Sequence, residues 1–376
     1  MVAFEMVVWM IIFSVLAVYL ILIFRANSMF IRMKFFSPDT YIYMPVSIVV
    51  PARNEEENIG RCLDSLLMQD YPRDLMEIIV VDDQSTDRTV EMIKNYQDPS
   101  IRLISIWEDE KFGKKSAVAK GIQSSSHEII ITTDADCNFN RNWLANMVTC
   151  KMKNDAVMVA APVAFRKENS YLDIFQSLDF ISLQGITAVG VTNKMFNMCN
   201  GANLLYTKTA FEKVNGFNGI DQIASGDDML LMEKMDAAFP NQIAYCYAHN
   251  AIVETATASS WRNFIQQRIR WASKAKNYTS WSIKYTLLLV FIVNLFAAIL
   301  LLLSLADLYY IKIYLIYIAI KSVGELPFML HVSMFFNKQR LIAWFIPLQI
   351  VHTIYTVIAA CFGLSTQYEW KGRKVN

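Results

Sequence analysis

The sequence predicts an α/β domain with a mostly parallel sheet, tied to a membrane by apolar segments at both ends. Three features point that way. Between Pro45 and about Glu254, short apolar runs alternate with amphipathic helical stretches. Several of those runs end in carboxylates, as in EIIVVDD (77–83) and EIIITTDAD (128–136). Long segments nearly free of charge lie on both sides of this region.

Taken in order, Phe4 to Phe24 holds one charged residue, Glu5, and Arg25, Arg32 and Lys34 follow it. A cleaved leader carries its positive charge before the apolar run, so residues 1–25 read as a retained transmembrane helix whose C-terminal side is cytoplasmic. VSIVV (46–50) has the continuous apolar character of a buried parallel strand. Ile59, Cys62, Leu63, Leu66 and Leu67 then fall on one helical face. EIIVVDD is the second strand, Thr86 a candidate cap for a helix reaching about Tyr96, and IRLISI (101–106) the third strand. Lys114 to Gln123 is helical, and EIIITTDAD repeats the strand-then-acid pattern. Ligands bind at the carboxyl ends of strands in such sheets, where Asp82, Asp83, Asp134 and Asp136 fall.

Beyond this region, Tyr171 to Val191 and Trp261 to Trp281 suit helices lying along a leaflet. Tyr285–Leu305, Tyr309–Leu330 and Leu341–Leu364 are candidate spans, the last two interrupted by Pro327 and Pro347. Lys321 and Glu325, four residues apart in one span, are expected to face protein or water. NKQR (337–340) suits a cytoplasmic loop, yet three full spans would then place the basic tail WKGRKVN outside. Either one segment is re-entrant or the tail breaks the charge rule. The expected organisation is a helix at 1–25, an α/β domain at 45–255, interfacial helices at 256–283, about three membrane segments at 284–364 and a basic tail at 365–376.

Composition excludes several classes. Of 376 residues 54% are apolar and 18% charged, with mean hydropathy +0.28, too apolar for an ordinary soluble enzyme. A net charge of +1 does not suit a nucleic-acid binder. The six cysteines are scattered without a CxxC pair, and His127, His249, His331 and His352 have no metal-ligand spacing. Neither GxGxxG nor GxxxxGK[ST] occurs, so phosphate would need another partner than a glycine-rich loop, and dinucleotide-dependent epimerases or dehydrogenases are disfavoured. A magnesium or manganese ion on carboxylates is the natural substitute.

The ordered motifs VVPARNEEENI (49–59), VVDDQSTDRT (80–89), GKKSA (113–117), TTDAD (132–136), CNGAN (199–203), GDD (226–228) and QRIRW (267–271) resemble membrane-integrated glycosyltransferases of family 2. The resemblance spans about Val46 to Trp271. It implies a Rossmann-like GT-A fold, a nucleotide-sugar donor (a UDP-sugar), a divalent metal, Mg2+ or Mn2+, and inversion at the anomeric carbon. It also implies roles. Ala52, Arg53, Glu55, Asp82, Asp83, Lys114 and Asp134 would border the donor nucleotide, and Asp136 with Asp134 would meet the metal. Gly201, Ala202 and Asp227 would lie on the acceptor side. Asp228 would be the general base, with Gln267, Arg270 and Trp271 closing over the diphosphate.

The chemistry suits those roles. A single displacement needs one carboxylate to take the acceptor's proton, and an arginine fork suits the departing diphosphate. Plainer readings stand beside them: Asp227 and Asp228 as helix-start acids, Asp82 and Asp83 as turn formers, Lys114 as part of a solvated basic turn, Asn200–Asn203 as a plain turn. Trp261, Arg262 and Arg268 read as a headgroup belt.

The expected acceptor is a membrane lipid, as in ceramide glucosyltransferase-like enzymes. The membrane complement is small, and WKGR (370–373) resembles the tail of that branch. A processive polysaccharide synthase exporting a glycan is the alternative, and a non-enzymatic translocator with a degenerate domain a further one. The expected setting is the plasma or inner membrane, with the catalytic domain in the cytoplasm.

Overall fold

The computed structural model describes residues 2–107, 112–220, 226–278, 280–363, 368–370 and 373–375. The chain begins with α1 (Val2–Arg32), longer than the apolar run because no glycine or proline interrupts it before Pro38. Then follow β1 (Val46–Ala52), α2 (Ile59–Leu67), β2 (Met76–Asp82), α3 (Thr89–Lys94), β3 (Ile101–Ser105), α4 (Lys114–Gln123) and β4 (Ile129–Thr132). Next come β5 (Asn138–Phe139), α5 (Trp143–Asn154), β6 (Met158–Ala160), β7 (Val163–Phe165) and α6 (Tyr171–Thr192). β8 (Leu204–Thr207), α7 (Lys208–Lys213), α8 (Asp227–Ala238), β9 (Ile243–Tyr245) and β10 (Val253–Thr255) complete the α/β region. The last part is helical: α9 (Trp261–Ser273), α10 (Trp281–Leu303), α11 (Leu308–Phe335) and α12 (Gln349–Gly363).

The main sheet runs β3-β2-β1-β4-β8-β6-β9, with the first four strands mutually parallel and β8 antiparallel to both neighbours. It is thus the mostly parallel sheet that the strand–helix alternation predicts. Its centre is continuous hydrocarbon: Val46, Ile48, Val50, Ile78, Val80 and Ile131 face α2 and α5, whereas Val49, Ile79, Val81 and Ile130 face α4 and α8. Gly121 lets α4 lie against the sheet, since a Cβ there would stand 2.4 Å from Val49 Cγ1. A smaller sheet, β5-β10-β7, hangs beside the carboxyl end of β4.

Some local expectations change. Thr86 does not cap α3. Asp87 accepts from the amide and hydroxyl of Thr89, so the helix starts three residues later. Asn200–Asn203 is more than a surface turn. Asn203 is fully buried, accepts from Trp143 Nε1 and donates to the carbonyls of Pro162 and Ala251.

Among the described residues, four helices are long and apolar enough to cross a membrane: residues 5–32 of α1, together with α6, α10 and α11. In α6, however, 78% of the apolar window is buried within the protein, against 17%, 22% and 39% for the others. The expected leaflet helix at 171–191 is therefore an internal strut, and Gly185 lets it meet Val332 of α11.

The expected span at 341–364 is broken. A 3-10 turn at Gln339–Trp344 precedes α12, whose 15 residues reach only about 22 Å against a bilayer core of about 30 Å. α12 starts beside the middle of α11, where Gln349 bonds both Lys321 and Glu325, and ends with Gly363 against Ala272 of α9. Lys338 pairs with Glu168 and donates to the carbonyl of Phe165, so the end of α11 returns to the α/β domain. α12 packs against α10 and α9. Lys321, Glu325, Tyr19 and Gln349 satisfy one another at this depth. Within the tail, residues 368–370 pair antiparallel with 373–375, whereas Lys371 and Gly372 and all side chains of WKGR lie outside the described residues.

Candidate active site

The carboxyl ends of β1, β2 and β4 stand side by side because the three strands are parallel and in register, with Ala52 opposite Asp82 and Val49 opposite Thr132. Each strand delivers polar groups where its ladder stops. After β1 and β2 the chain turns through left-handed residues, Asn54 at φ 52° and Gln84 at φ 59°. Arg53 crosses between the two turns and donates to the carbonyls of Asp83 (2.6 Å) and Gln84 (2.9 Å). Asp82 accepts from the amide of Ser85, and Asp83 accepts from the amide of Gly113 (3.0 Å). Both carboxylates are buried, so the turn-forming reading holds for them alongside any ligand contact. Glu55 accepts from the side chain of Asn58.

Gly113, at φ 104°, starts α4 and places Lys114 in the cleft, where its Nζ lies 2.6 Å from Asp134 Oδ1. Asp136 accepts from Thr255 of β10 at 2.9 Å. Burial, then the neighbouring Asp134 and Glu55, push the Asp136 carboxyl up to about 6. Among the described residues no three His, Cys, Asp or Glu side chains converge as a complete metal cage. The set nevertheless fits a hard divalent ion that takes its other ligands from phosphate and water, because crowded carboxylates gain most from a cation.

On the other wall, Gly226 adopts φ 92° before α8 and presents Asp228 at the helix start. Asp228 accepts from the amides of Gly201 (3.0 Å) and Met229 (2.8 Å), and Lys274 Nζ lies 3.6 Å away. Burial would raise its carboxyl, but Lys274, Lys114 and the two amides outweigh that and hold it below its ordinary value. The helix-start role and a chemical role are thus compatible. Lys114, Thr132, Thr133, Gly201 and Asp228 line one cleft. Ala202 is buried beneath it, and its carbonyl accepts from Thr133. The side chain of Asp227 lies outside the described residues.

α9 closes this end, with Ser260 capping it through the amide of Asn263. Arg270 is half-buried, Trp271 packs on the domain core, and the Oε1 of Gln267 is buried without a hydrogen bond. Arg268 overturns its expected place in a headgroup belt. It is 4% exposed, pairs with Asp179 of α6 at 2.7 Å and lies over the rings of Trp271 (4.2 Å) and Phe264 (4.8 Å). α9 is packed between α6 and α12, and its exposed residues are Trp261, Arg262 and Asn263 in the first turn and Gln266 in the second. Lys274 and Asp179 carried no motif signal: one sat in a basic run, the other inside an apolar helix.

Residues 47–214 match the family described as Glycosyl transferase family 2. The chain carries a family 2 glycosyltransferase domain. Its relatives include the glycosyltransferase AglE of Haloferax volcanii, 28% identical over 207 residues, 55% of this chain and 65% of AglE. The probable glycosyltransferase YdaM of Bacillus subtilis is 28% identical over 235 residues, 60% of this chain and 54% of YdaM. The chain thus matches less than two thirds of either relative. Among solved structures, the mannosyltransferase PcManGT of Pyrobaculum calidifontis, in complex with GDP-Man and Mn2+, superposes with TM-score 0.60. The match covers 96% of this chain and 98% of that one at 22% identity, and shows a shared GT-A-like fold. The family 2 domain holds the strand-end carboxylates, whereas Asp228 and α9 lie beyond the matched residues.

Proposed function

We propose that the protein is a membrane-bound inverting glycosyltransferase that moves a sugar from a nucleotide-sugar, a UDP-sugar, to a membrane lipid. The observation that carries this reading is the cleft in which Asp228, Gly201 and Lys114 meet. In this reading Asp228 takes the acceptor hydroxyl's proton while that oxygen bonds the anomeric carbon. The carbon's bond to the nucleoside diphosphate breaks, and its electron pair leaves with the phosphate. Lys114 and Arg270 offset the charge that develops, and Gln267 and Trp271 hold the closing helix in place. Asp134 and Asp136 would hold Mg2+ or Mn2+, which supplies Lewis-acid stabilisation of the diphosphate. Ala52, Arg53, Glu55, Asp82 and Asp83 shape the nucleoside end, and Ala202 and Asp227 the acceptor side.

A lipid acceptor is favoured by the membrane region, in which α1, α10 and α11 are the long exposed helices and α12 is short. Such a region offers a lipid-facing entrance rather than a channel for a polymer. The organisation proposed is a cytoplasmic catalytic domain, with α1 and residues 284–363 in the membrane and α9 at the interface. Purified protein given UDP-sugars, Mn2+ and membrane lipids should form a discrete glycolipid, read by mass spectrometry. Asp228→Asn should slow turnover by roughly 10²–10⁴-fold. A long polymer as product would replace the lipid reading, and full activity of Asp228→Asn would remove the base.

A further inference from the structure

Two lysines, Lys114 lining the cleft and Lys274 beside it, are paired with carboxylates that the reaction needs free. Lys114 lies on Asp134, and Lys274 on Asp228. Lys274 and Asp228 are each 13% exposed in their side chains, so the ion pair is largely screened from water. The approach is built into the backbone. Gly226 stands at φ 92°, and a Cβ there would come within 3.3 Å of Lys274 Cδ, so the lysine stem runs across a glycine. Lys274 is the C-cap of α9, the helix that closes the site, one turn beyond Arg270.

A base held by an ammonium group is a weak base, so this pair must loosen for proton transfer. A diphosphate brings more negative charge than one carboxylate, and a lysine's flexible four-carbon stem suits a move between partners better than an arginine fork would. We propose that Lys274 is a shared cation, paired with Asp228 before the donor binds and with the donor's diphosphate afterwards. This rests on reading Asp228 as the base and a nucleotide-sugar as the donor. The bound donor then frees its own base: Asp228 accepts the acceptor's proton as the new glycosidic bond forms, and the electron pair of the breaking bond leaves on the diphosphate beside Lys274. Among the described residues, the other groups facing Asp228 include Lys114 from α4 and, after α9, Tyr278, whose hydroxyl is turned toward Met229 Sδ. Neither changes in the test below.

The test compares the full-length protein with Lys274→Met and Lys274→Arg. Calorimetry with UDP, and with GDP in parallel, should show affinity falling roughly tenfold in Lys274→Met and largely kept in Lys274→Arg. The acid limb of kcat/KM, which reports the free enzyme, should rise by about one pH unit in Lys274→Met, while the acid limb of kcat stays in place. Unchanged nucleotide affinity in Lys274→Met would overturn the proposal. So would an equal shift in both limbs, which would leave the lysine on Asp228 throughout. Wild-type turnover by Asp228→Asn would instead sink the base assignment and leave the nucleotide result standing. Wild-type protein that binds neither UDP nor GDP would remove the donor reading and this proposal with it.

Discussion

Replacing Arg268 with methionine should loosen the junction between the α/β domain and the membrane helices more than any other single change in α9. The guanidinium and the Asp179 carboxylate are 4% and 2% exposed in their side chains and 2.7 Å apart, with Tyr355 donating to the same carboxylate and His352 at 4.0 Å. Methionine keeps much of the packing against Phe264 and Trp271 but leaves Asp179 without a cation. Removing one partner of a buried pair costs about 3–5 kcal/mol, and the lost ring contacts add about 0.5–2 kcal/mol. For a protein this large each kcal/mol shifts the midpoint by roughly 2–4 °C, so the apparent Tm should fall by on the order of 10 °C. Removing both charges, as in Arg268→Met with Asp179→Leu, should recover much of that loss, because well-packed apolar pairs often match buried ion pairs. The assay is a thermal melt of the detergent-solubilised protein for the wild type, both single variants and the double. Additive effects, with the double variant least stable, would refute the view that the pair is a coupled charge lock.

Three other outcomes follow from the geometry. The Asp136 carboxyl is raised from its ordinary range to about 6, so the metal-free protein binds more protons folded than unfolded and loses stability as pH rises from about 4 to about 6. Asp136→Asn should flatten that decline, raise the metal-free Tm at pH 7.5 and abolish stabilisation by Mn2+; a Tm below the wild type's would contradict this. Asn203→Ala orphans the Trp143 indole N–H and takes a donor from the carbonyls of Ala251 and Pro162, the latter keeping the Val253 amide, and should cost about 2–4 kcal/mol, read as a lower unfolding midpoint. In sealed vesicles, on a Cys361→Ser background, a cysteine at Asn337 should react with impermeant maleimide from the same side as one at Asp70, and one at Ala306 from the opposite side. Labelling of 306 and 337 from one side would break the assignment of α11 as a span.

The strands and the first membrane helix were legible because their signals are local. A continuous apolar run, a face of helical spacing or a charge-free stretch needs no distant partner to be read. The same holds for the strand-end acids, since parallel strands in register carry their carboxyl ends to one edge. Where a residue's neighbour lies far along the chain, pattern reading loses it. Arg268 among tryptophans looks like a lipid belt until Asp179, 89 positions earlier, is seen against it. Lys274 looks like part of a basic run until Gly226 and Asp228 come beneath it.

The sequence by itself determined the α/β alternation, the apolar ends, the acidic strand termini and the ordered motifs of the family 2 domain. All of these depend on residues close in the chain or on their order. Only the tertiary structure decided that α6 is an internal strut, that the last apolar segment is divided between a 3-10 turn and a short helix, that Asn203 is a buried tie and that lysines pair with carboxylates in and beside the cleft. Burial and charge pairing depend on which surfaces meet, and a single side chain's character does not specify its partner.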